Sequence, residues 1–136
     1  MRLMKPAPGE VVDRQTILKL KAQFGEQKGI NVQPFIDENE LCQQYLEKNW
    51  LPDLASKDGD EYDKLMAELE EINLQVWQLT DQSHTLMEAP NRHQALANQR
   101  AAEVLFMITE LNDKRASIVY KINGLFAIQV QEKIFA

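Results

Sequence analysis

The stretch LMAELEEINLQVWQLTDQSHTL, residues 65–86, decides the fold class of this chain. Its apolar positions recur at alternating spacings of four and three, the pattern of one packed face along a helix. The positions on this face are Leu65, Leu69, Ile72, Val76, Leu79, Ser83 and Leu86. Because Pro90 cannot continue a helix, the pattern predicts one long helix over residues 60–88.

The same spacing returns later in the chain and predicts a second long helix over residues 95–123. The positions on its packed face are Val104, Ile108, Leu111, Arg115, Ile118, Ile122 and Leu125, and Asn123-Gly124 ends or bends the helix. A helix of about 28 residues is about 42 Å long. Two such helices side by side form an antiparallel hairpin, which predicts an elongated molecule.

Two shorter helices precede this hairpin. The spacing of Ile17, Leu20 and Phe24 predicts a helix over residues 9–26. Proline suits the first turn of a helix, so Pro34 favours a second helix over residues 34–50.

The expected fold is an all-α, elongated antiparallel bundle of about four helices, built on the long helical hairpin. A short C-terminal helix or arm over residues 125–134 completes it. The length of 136 residues and a hydrophobic content of 44% fit a single helical domain over residues 1–136.

Charge is distributed unevenly along the chain. The net charge of −6 divides into +3 over residues 1–30, −11 over residues 31–90 and +2 over residues 91–136. Nucleic-acid binding needs clustered Lys and Arg to neutralise phosphates, so we expect no nucleic-acid partner. The basic ends and the acidic middle instead offset each other within the fold or across a dimer.

The sequence predicts a cytoplasmic protein with no membrane partner. Cys42 is the single cysteine, which excludes an intrachain disulfide and fits a reducing compartment. No apolar stretch approaches the roughly 18 residues of a membrane-spanning helix, and no secretory apolar region follows the opening MRLMKPAPGE.

Familiar catalytic motifs are absent from the sequence, which disfavours an enzyme. It contains no P-loop, Gly-rich dinucleotide turn, zinc-ligand cluster or nucleophile elbow. His84 and His93 lie nine residues apart with no cysteine nearby and do not make a zinc site. We therefore expect no cofactor.

Carboxylates on the first long helix raise the question of a metal site. Glu68 and Glu71 share a helix face, as in the all-helical nucleotide pyrophosphatases that hold magnesium with acidic pairs. Such a site needs oxygen ligands from a second helix, where Glu103, Glu110 and Asp113 are as easily solvent-facing. A solvated helix face is the simpler interpretation, so we predict no metal.

Polar residues inside the apolar stripes form the candidate site. Helical phase places Asp13 on the packed face of the first helix and Arg115 on that of the last. A charge on a packed face is tolerated when it is paired and hydrogen-bonded, which predicts a polar layer across the bundle. Its candidate members are Asp13, Arg14, Asn73, Asn112, Arg115, Lys121 and Asn123.

Two roles are open for this layer. One is a buried ion pair that fixes the register of the helices. The other is a pocket in which Arg14, Arg115 and Lys121 converge on a small anion, as bundle enzymes of the chorismate mutase type bind a dicarboxylate.

Two segments, PGEVVDRQTILKLK and LNDKRASIVYKIN, resemble a bacterial helical family of unknown function. That family opens on Pro-Gly-Glu-Leu-x-Asp-x-x-Thr-Ile-Leu, carries a later Asn-Asp-x-Arg-Ala, and includes members linked to tetratricopeptide and glycosyltransferase-like proteins. The likeness covers about a quarter of the chain, with EINLQVWQLTD as a weaker third segment, and Val11 stands where Leu is commoner. The matching positions are Pro8, Gly9, Glu10, Asp13, Thr16, Ile17, Leu18, Asn112, Asp113, Arg115 and Ala116. The resemblance implies a helical fold and no catalytic residue.

The apolar content of the second helix and the tail predicts self-association. These segments carry more large apolar side chains than two long helices can cover: Phe35, Trp50, Phe126, Ile128, Val130, Ile134 and Phe135. We expect a non-enzymatic interaction or accessory protein, a homodimer open to a protein partner and serving cell-surface glycan assembly. The alternative is a bundle enzyme or binding protein for a small anionic metabolite or nucleotide.

Overall fold

The computed structural model describes residues 5–88 and 94–126 and confirms the predicted all-α bundle. Its helices are α1 (Pro8–Gln27), α2 (Gln33–Asn49), α3 (Gly59–Glu88) and α4 (Gln94–Gly124). Two short 3₁₀ turns, Leu51–Asp53 and Ser56–Asp58, connect α2 to α3. Of the described residues 88% are helical, and none of them forms a strand.

Local sequence explains the ends of the first two helices. Pro8 stands in the first turn of α1, where a missing backbone N–H costs nothing. Gly29 follows α1 with a φ of 74°, a conformation that glycine adopts without strain. Before α2, the side-chain oxygen of Asn31 accepts a hydrogen bond from the backbone N–H of Gln33 at 3.1 Å.

The arrangement of the helices follows from the long hairpin. α3 and α4 pack along each other, and α1 contacts both. α2 packs on α1. α1 therefore covers one side of the hairpin, and the opposite side of α3 and α4 is left to form a groove.

The main core lies at the end of the bundle where α3 begins and α4 ends. Its buried residues are Val11, Val12, Leu46, Trp50, Tyr62, Leu65, Leu69, Ile118, Ile122 and Phe126. The Phe126 ring meets Trp50 and Tyr62 edge-on, with ring centroids 6.0 and 6.3 Å apart. Such aromatic contacts add to the free energy gained by burying apolar area.

This core corrects the interpretation of the apolar excess. Trp50 and Phe126 are fully buried within the chain, because the ends of α2 and α4 meet there, and neither is available to a partner. Phe35 is half-buried beneath the Lys21 ammonium, which lies 5.7 Å from its ring centroid. Ile128, Val130, Ile134 and Phe135 lie outside the described residues.

The predicted C-terminal helix or arm over 125–134 falls mostly outside the described residues. Leu125 and Phe126 form a turn, in which their backbone N–H groups donate to the carbonyl oxygens of Ile122 and Asn123. In the described segments, no helix is both long and apolar enough to cross a membrane.

Candidate functional site: a polar layer and a groove

Asp13 of α1 and Arg115 of α4 form the ion pair at the centre of the polar layer. Arg115 donates from Nε to Oδ1 of Asp13 at 2.8 Å and from Nη2 to Oδ2 at 2.5 Å. This two-bond geometry is the strong form of an arginine–carboxylate contact. The Arg115 side chain is 29% exposed and that of Asp13 is 16% exposed, so the pair is largely shielded from water.

The hydrogen bonds that Arg115 donates to Asp13 raise the pKa of its guanidinium above the ordinary value, although burial acts in the opposite direction. Arg115 therefore stays charged, and its charge is compensated inside the chain. A guanidinium that is already paired with a carboxylate is a weaker receptor for an external anion.

Asn73 of α3 completes the layer by joining the third helix to the pair. Its amide donates to Oδ1 of Asp13 at 3.0 Å and to the hydroxyl oxygen of Thr16 at 2.5 Å. The Thr16 hydroxyl donates in turn to the backbone oxygen of Asp13 at 2.7 Å. Thr16 is 2% exposed and Asn73 is 4% exposed, so both polar groups are buried and satisfied.

Sequence reasoning missed Thr16 as a member of the layer. The signal was present, because Thr16 lies three residues after Asp13 and therefore on the same face of α1. Gln15 was missed as well: its side chain is buried and donates to Oε1 of Gln43 on α2 at 3.0 Å.

Asn123 makes a second polar contact between α1 and α4. Its side-chain oxygen accepts a hydrogen bond from the backbone N–H of Gly9 at 2.7 Å. That donor lies in the first turn of α1, where no carbonyl of the helix can satisfy it. A Cβ at Gly9 would collide with the backbone oxygen of Val119, so the close approach of the two helices requires glycine.

The remaining candidate residues lie elsewhere. Arg14 pairs with Glu38 of α2 on the surface, with bonds of 2.6 and 3.1 Å. This contact raises the pKa of Arg14 and lowers that of Glu38. Asn112 and Lys121 are exposed on α4. The structure therefore places Arg14, Arg115 and Lys121 in three different surroundings.

A cavity of about 290 Å³ opens beside the ion pair, so the layer is not sealed. The cavity is lined by Ile17, Leu20, Asn73, Val76, Trp77, Thr80, Asp81, His84 and Arg115. The Trp77 ring stacks on Phe24 with ring centroids 5.5 Å apart, and its indole N–H has no hydrogen-bond partner among the described residues.

A longer groove runs between α3 and α4. Two cavities of about 610 and 410 Å³ share Gln75, Leu111 and Lys114 and therefore form one continuous depression. Its apolar floor comprises Ala67, Ile72, Leu79, Met107, Leu111 and Ile118. We call this depression the hairpin groove.

Large apolar side chains are also exposed on α4. Leu105 is 52%, Phe106 64%, Met107 47% and Tyr120 79% exposed. On the first half of the molecule, Ile30, Ile36 and Leu41 are exposed as well.

The acidic cluster of α3 lies near basic side chains, and one of its members is paired. Lys19 donates to Oε1 of Glu70 at 2.9 Å, and Glu68 and Glu71 line the hairpin groove together with Lys114 and Lys121. Across the part of the chain that the structure describes, no group of three or more His, Cys, Asp or Glu side chains is arranged to hold a metal ion.

Cys42 on α2 fits a structural thiol better than a reactive one. Burial, followed by the negative charge of Glu38, raises the pKa of its thiol, which disfavours the reactive thiolate.

Comparison of the chain with protein-family models, curated proteins and solved structures gave no match.

Proposed function

We propose that this chain is a non-enzymatic helical interaction or accessory protein that works as a homodimer in the cytoplasm. The observation that carries the proposal is the apolar surface that α3 and α4 leave uncovered, which comprises the floor of the hairpin groove and the exposed side chains Leu105, Phe106, Met107 and Tyr120 of α4. Each such side chain gains roughly 1.5–3 kcal/mol on full burial. A run of them on one helix is typical of a surface that meets another protein.

The polar layer supports a structural role within this proposal. Asp13, Thr16, Asn73 and Arg115 join α1, α3 and α4, and their hydrogen bonds satisfy one another. The layer fixes the position of α1 on the hairpin, which leaves the hairpin groove open on the other side.

The second candidate function is the binding of a small anionic metabolite or nucleotide. The observation that favours it is the cavity of about 290 Å³ beside Arg115. Against it, the Arg115 charge is compensated by Asp13, and Arg14 is paired with Glu38. The geometry supports the interaction protein better.

The proposed biological setting rests on the resemblance of two segments to the bacterial family. Gly9, Asp13 and Thr16 from the first motif and Arg115 from the second belong to the same contact between α1 and α4 or lie next to it. Because members of that family are linked to glycosyltransferase-like proteins, we place this chain as an accessory to cell-surface glycan assembly, with no nucleic-acid partner.

Light scattering and a thermal-shift screen together test the proposal. The full chain, of 15.7 kDa, should give about twice that mass at micromolar concentration, and phosphates or small dicarboxylates should not raise its melting temperature. A single mass of 15.7 kDa, combined with stabilisation by one of these anions, would replace the interaction protein with the small-molecule binder.

A further inference from the structure

In the larger of the two cavities that form the hairpin groove, the charges on the two rims have opposite sign. The α3 rim carries Glu68 and Glu71, whereas the α4 rim carries Lys114 and Lys121. All four side chains are exposed. A helical partner that fills this part of the groove is therefore favoured when it presents basic groups along α3 and acidic groups along α4.

The levels of these charges along the bundle follow from the two cavities. Glu68, Glu71, Lys114 and Lys121 line the first cavity, and Gln78 and Glu110 line the second. Because α3 and α4 run in opposite directions along each other, Glu68 lies level with Lys121 and Gln78 lies level with Glu110.

A second copy of this chain carries the required charges at the required levels. Rotation by 180° about an axis along the groove lays the α3 rim of one copy over the α4 rim of the other without changing the levels. Glu68 and Glu71 then face the lysine rim of the second copy, and Gln78 faces a carboxylate. This self-complementarity is what a two-fold symmetric interface needs.

The length and apolar floor of the groove fit the same occupant. The groove spans residues 67–82 of α3, about 24 Å of helix. Its floor carries Ile72 and Leu79 from α3 with Leu111 and Ile118 from α4, spaced as in the seam of a helical bundle. Two copies facing each other therefore form a four-helix bundle with an apolar centre and charged edges.

We propose that the hairpin groove is the dimer interface, and that Glu68 and Glu71 of α3 pair with Lys114 and Lys121 on α4 of a second copy. This inference rests on the proposed function and names its partner and its surface. The exposed Leu105 and Tyr120 of α4 do not line the groove and stay free for another protein.

Charge-swap variants of the full chain test the pairing. One variant carries Glu68→Lys and Glu71→Lys, and the other carries Lys114→Glu and Lys121→Glu. Each alone places like charges on both rims, so its dissociation constant should rise at least tenfold over that of the wild type in sedimentation experiments. A mixture of the two restores opposite charges at both rims and should form a heterodimer of about twice 15.7 kDa.

A quadruple variant with all four charge reversals shows whether weaker association of the two double variants results from misfolding or from charge repulsion. It restores opposite charges across its own groove, so it should fold and dimerise with itself, as circular dichroism and sedimentation will show. It should not exchange subunits with the wild type, because their rims then repel.

The outcomes separate the two proposals. A wild-type dimer whose affinity is unchanged by either pair of reversals overturns the groove interface and leaves the interaction protein standing on another surface. A wild-type chain that stays monomeric up to 100 µM, a concentration of about 10⁻⁴ M where even weak specific dimers form, overturns the groove interface and the homodimer together.

Discussion

The contact between Asp13 and Arg115 shows what helical phase alone can place. Their spacing to neighbouring apolar positions predicts that both residues lie on packed faces, and in the structure two hydrogen bonds join them. The partners Thr16 and Asn73 depend on how three helices meet, which spacing along one helix does not report.

The ion pair between Asp13 and Arg115 predicts that the effects of substituting its two members on the free energy of unfolding are not additive. Arg115→Met or Asp13→Leu alone leaves an uncompensated charge in a shielded layer. Each should lower the free energy of unfolding by about 3–5 kcal/mol, the cost of breaking a buried pair, with values near the lower end because Arg115 is 29% exposed. The double variant should lose less free energy of unfolding than the two single variants lose together. Urea unfolding of the wild type, the two single variants and the double variant measures this difference.

Arg14→Met is the matched control for this cycle. Arg14 neighbours Asp13 in sequence, but its pair with Glu38 is exposed, so its removal should change stability little. Single substitutions at Asp13 and Arg115 as mild as this control would contradict a shielded pair.

The burial of Tyr62 predicts that the chain loses stability at alkaline pH. Burial, with a smaller effect of Asp63, raises the pKa of the Tyr62 hydroxyl to about 12. The unfolded chain ionises near the ordinary value of about 10. The protonated ring therefore contributes stability below pH 10, and this contribution is lost as the pH rises from about 10 to about 12.

The measurement is urea unfolding at pH 9 and pH 11 of the wild type and Tyr62→Phe. Between pH 9 and pH 11 the free energy of unfolding of the wild type should fall by about 1 kcal/mol more than that of Tyr62→Phe. Tyr120→Phe, at a ring that is 79% exposed, is the control and should follow the wild type. Equal losses in all three proteins would show that Tyr62 does not cause the alkaline effect.

At the scale of elements, the helices themselves were predictable because their causes are local. Pro8 and Gly29 bound α1, and the alternation of four and three along α3 and α4 marks their packed faces. The contact between α1 and α4 is not local. It depends on Gly9, whose backbone lies against Val119 and whose N–H is bound by Asn123.

Gly9→Ala should therefore destabilise the chain by about 1–3 kcal/mol, because the added methyl group forces α1 away from α4. Gly59→Ala is the matched control. Gly59 is also helical, with a φ of −59° and open space around it. Alanine there should therefore raise the free energy of unfolding by about 0.5–1 kcal/mol. Thermal or urea unfolding of both variants measures the difference, and a Gly9→Ala variant as stable as Gly59→Ala would contradict the close contact.

At the scale of the whole molecule, the sequence predicts the bundle but not which surfaces remain open. From the sequence alone, Trp50 and Phe126 are expected to contact a partner. In the structure the ends of α2 and α4 meet, and both side chains are buried in one core. Conversely, the sequence predicts ordinary solvated helix faces at the positions that form the rims of the hairpin groove. Their opposite charges become visible once Glu68 and Lys121 are found beside the same cavity.

Disulfide trapping between copies shows whether two copies of this chain associate through the hairpin groove. In a Cys42→Ser background, one chain carries Glu71→Cys on the α3 rim and the other carries Ser117→Cys on the α4 rim. Both positions line the groove, and each chain then holds a single thiol.

Mild oxidation of the mixed chains should give a covalent heterodimer of about twice 15.7 kDa. The control replaces Ser117→Cys by Thr109→Cys, which is exposed on the outer face of α4 and should trap little. Equal trapping at Thr109 and Ser117, or none at Ser117 under conditions where the chain is dimeric, would contradict association through the groove.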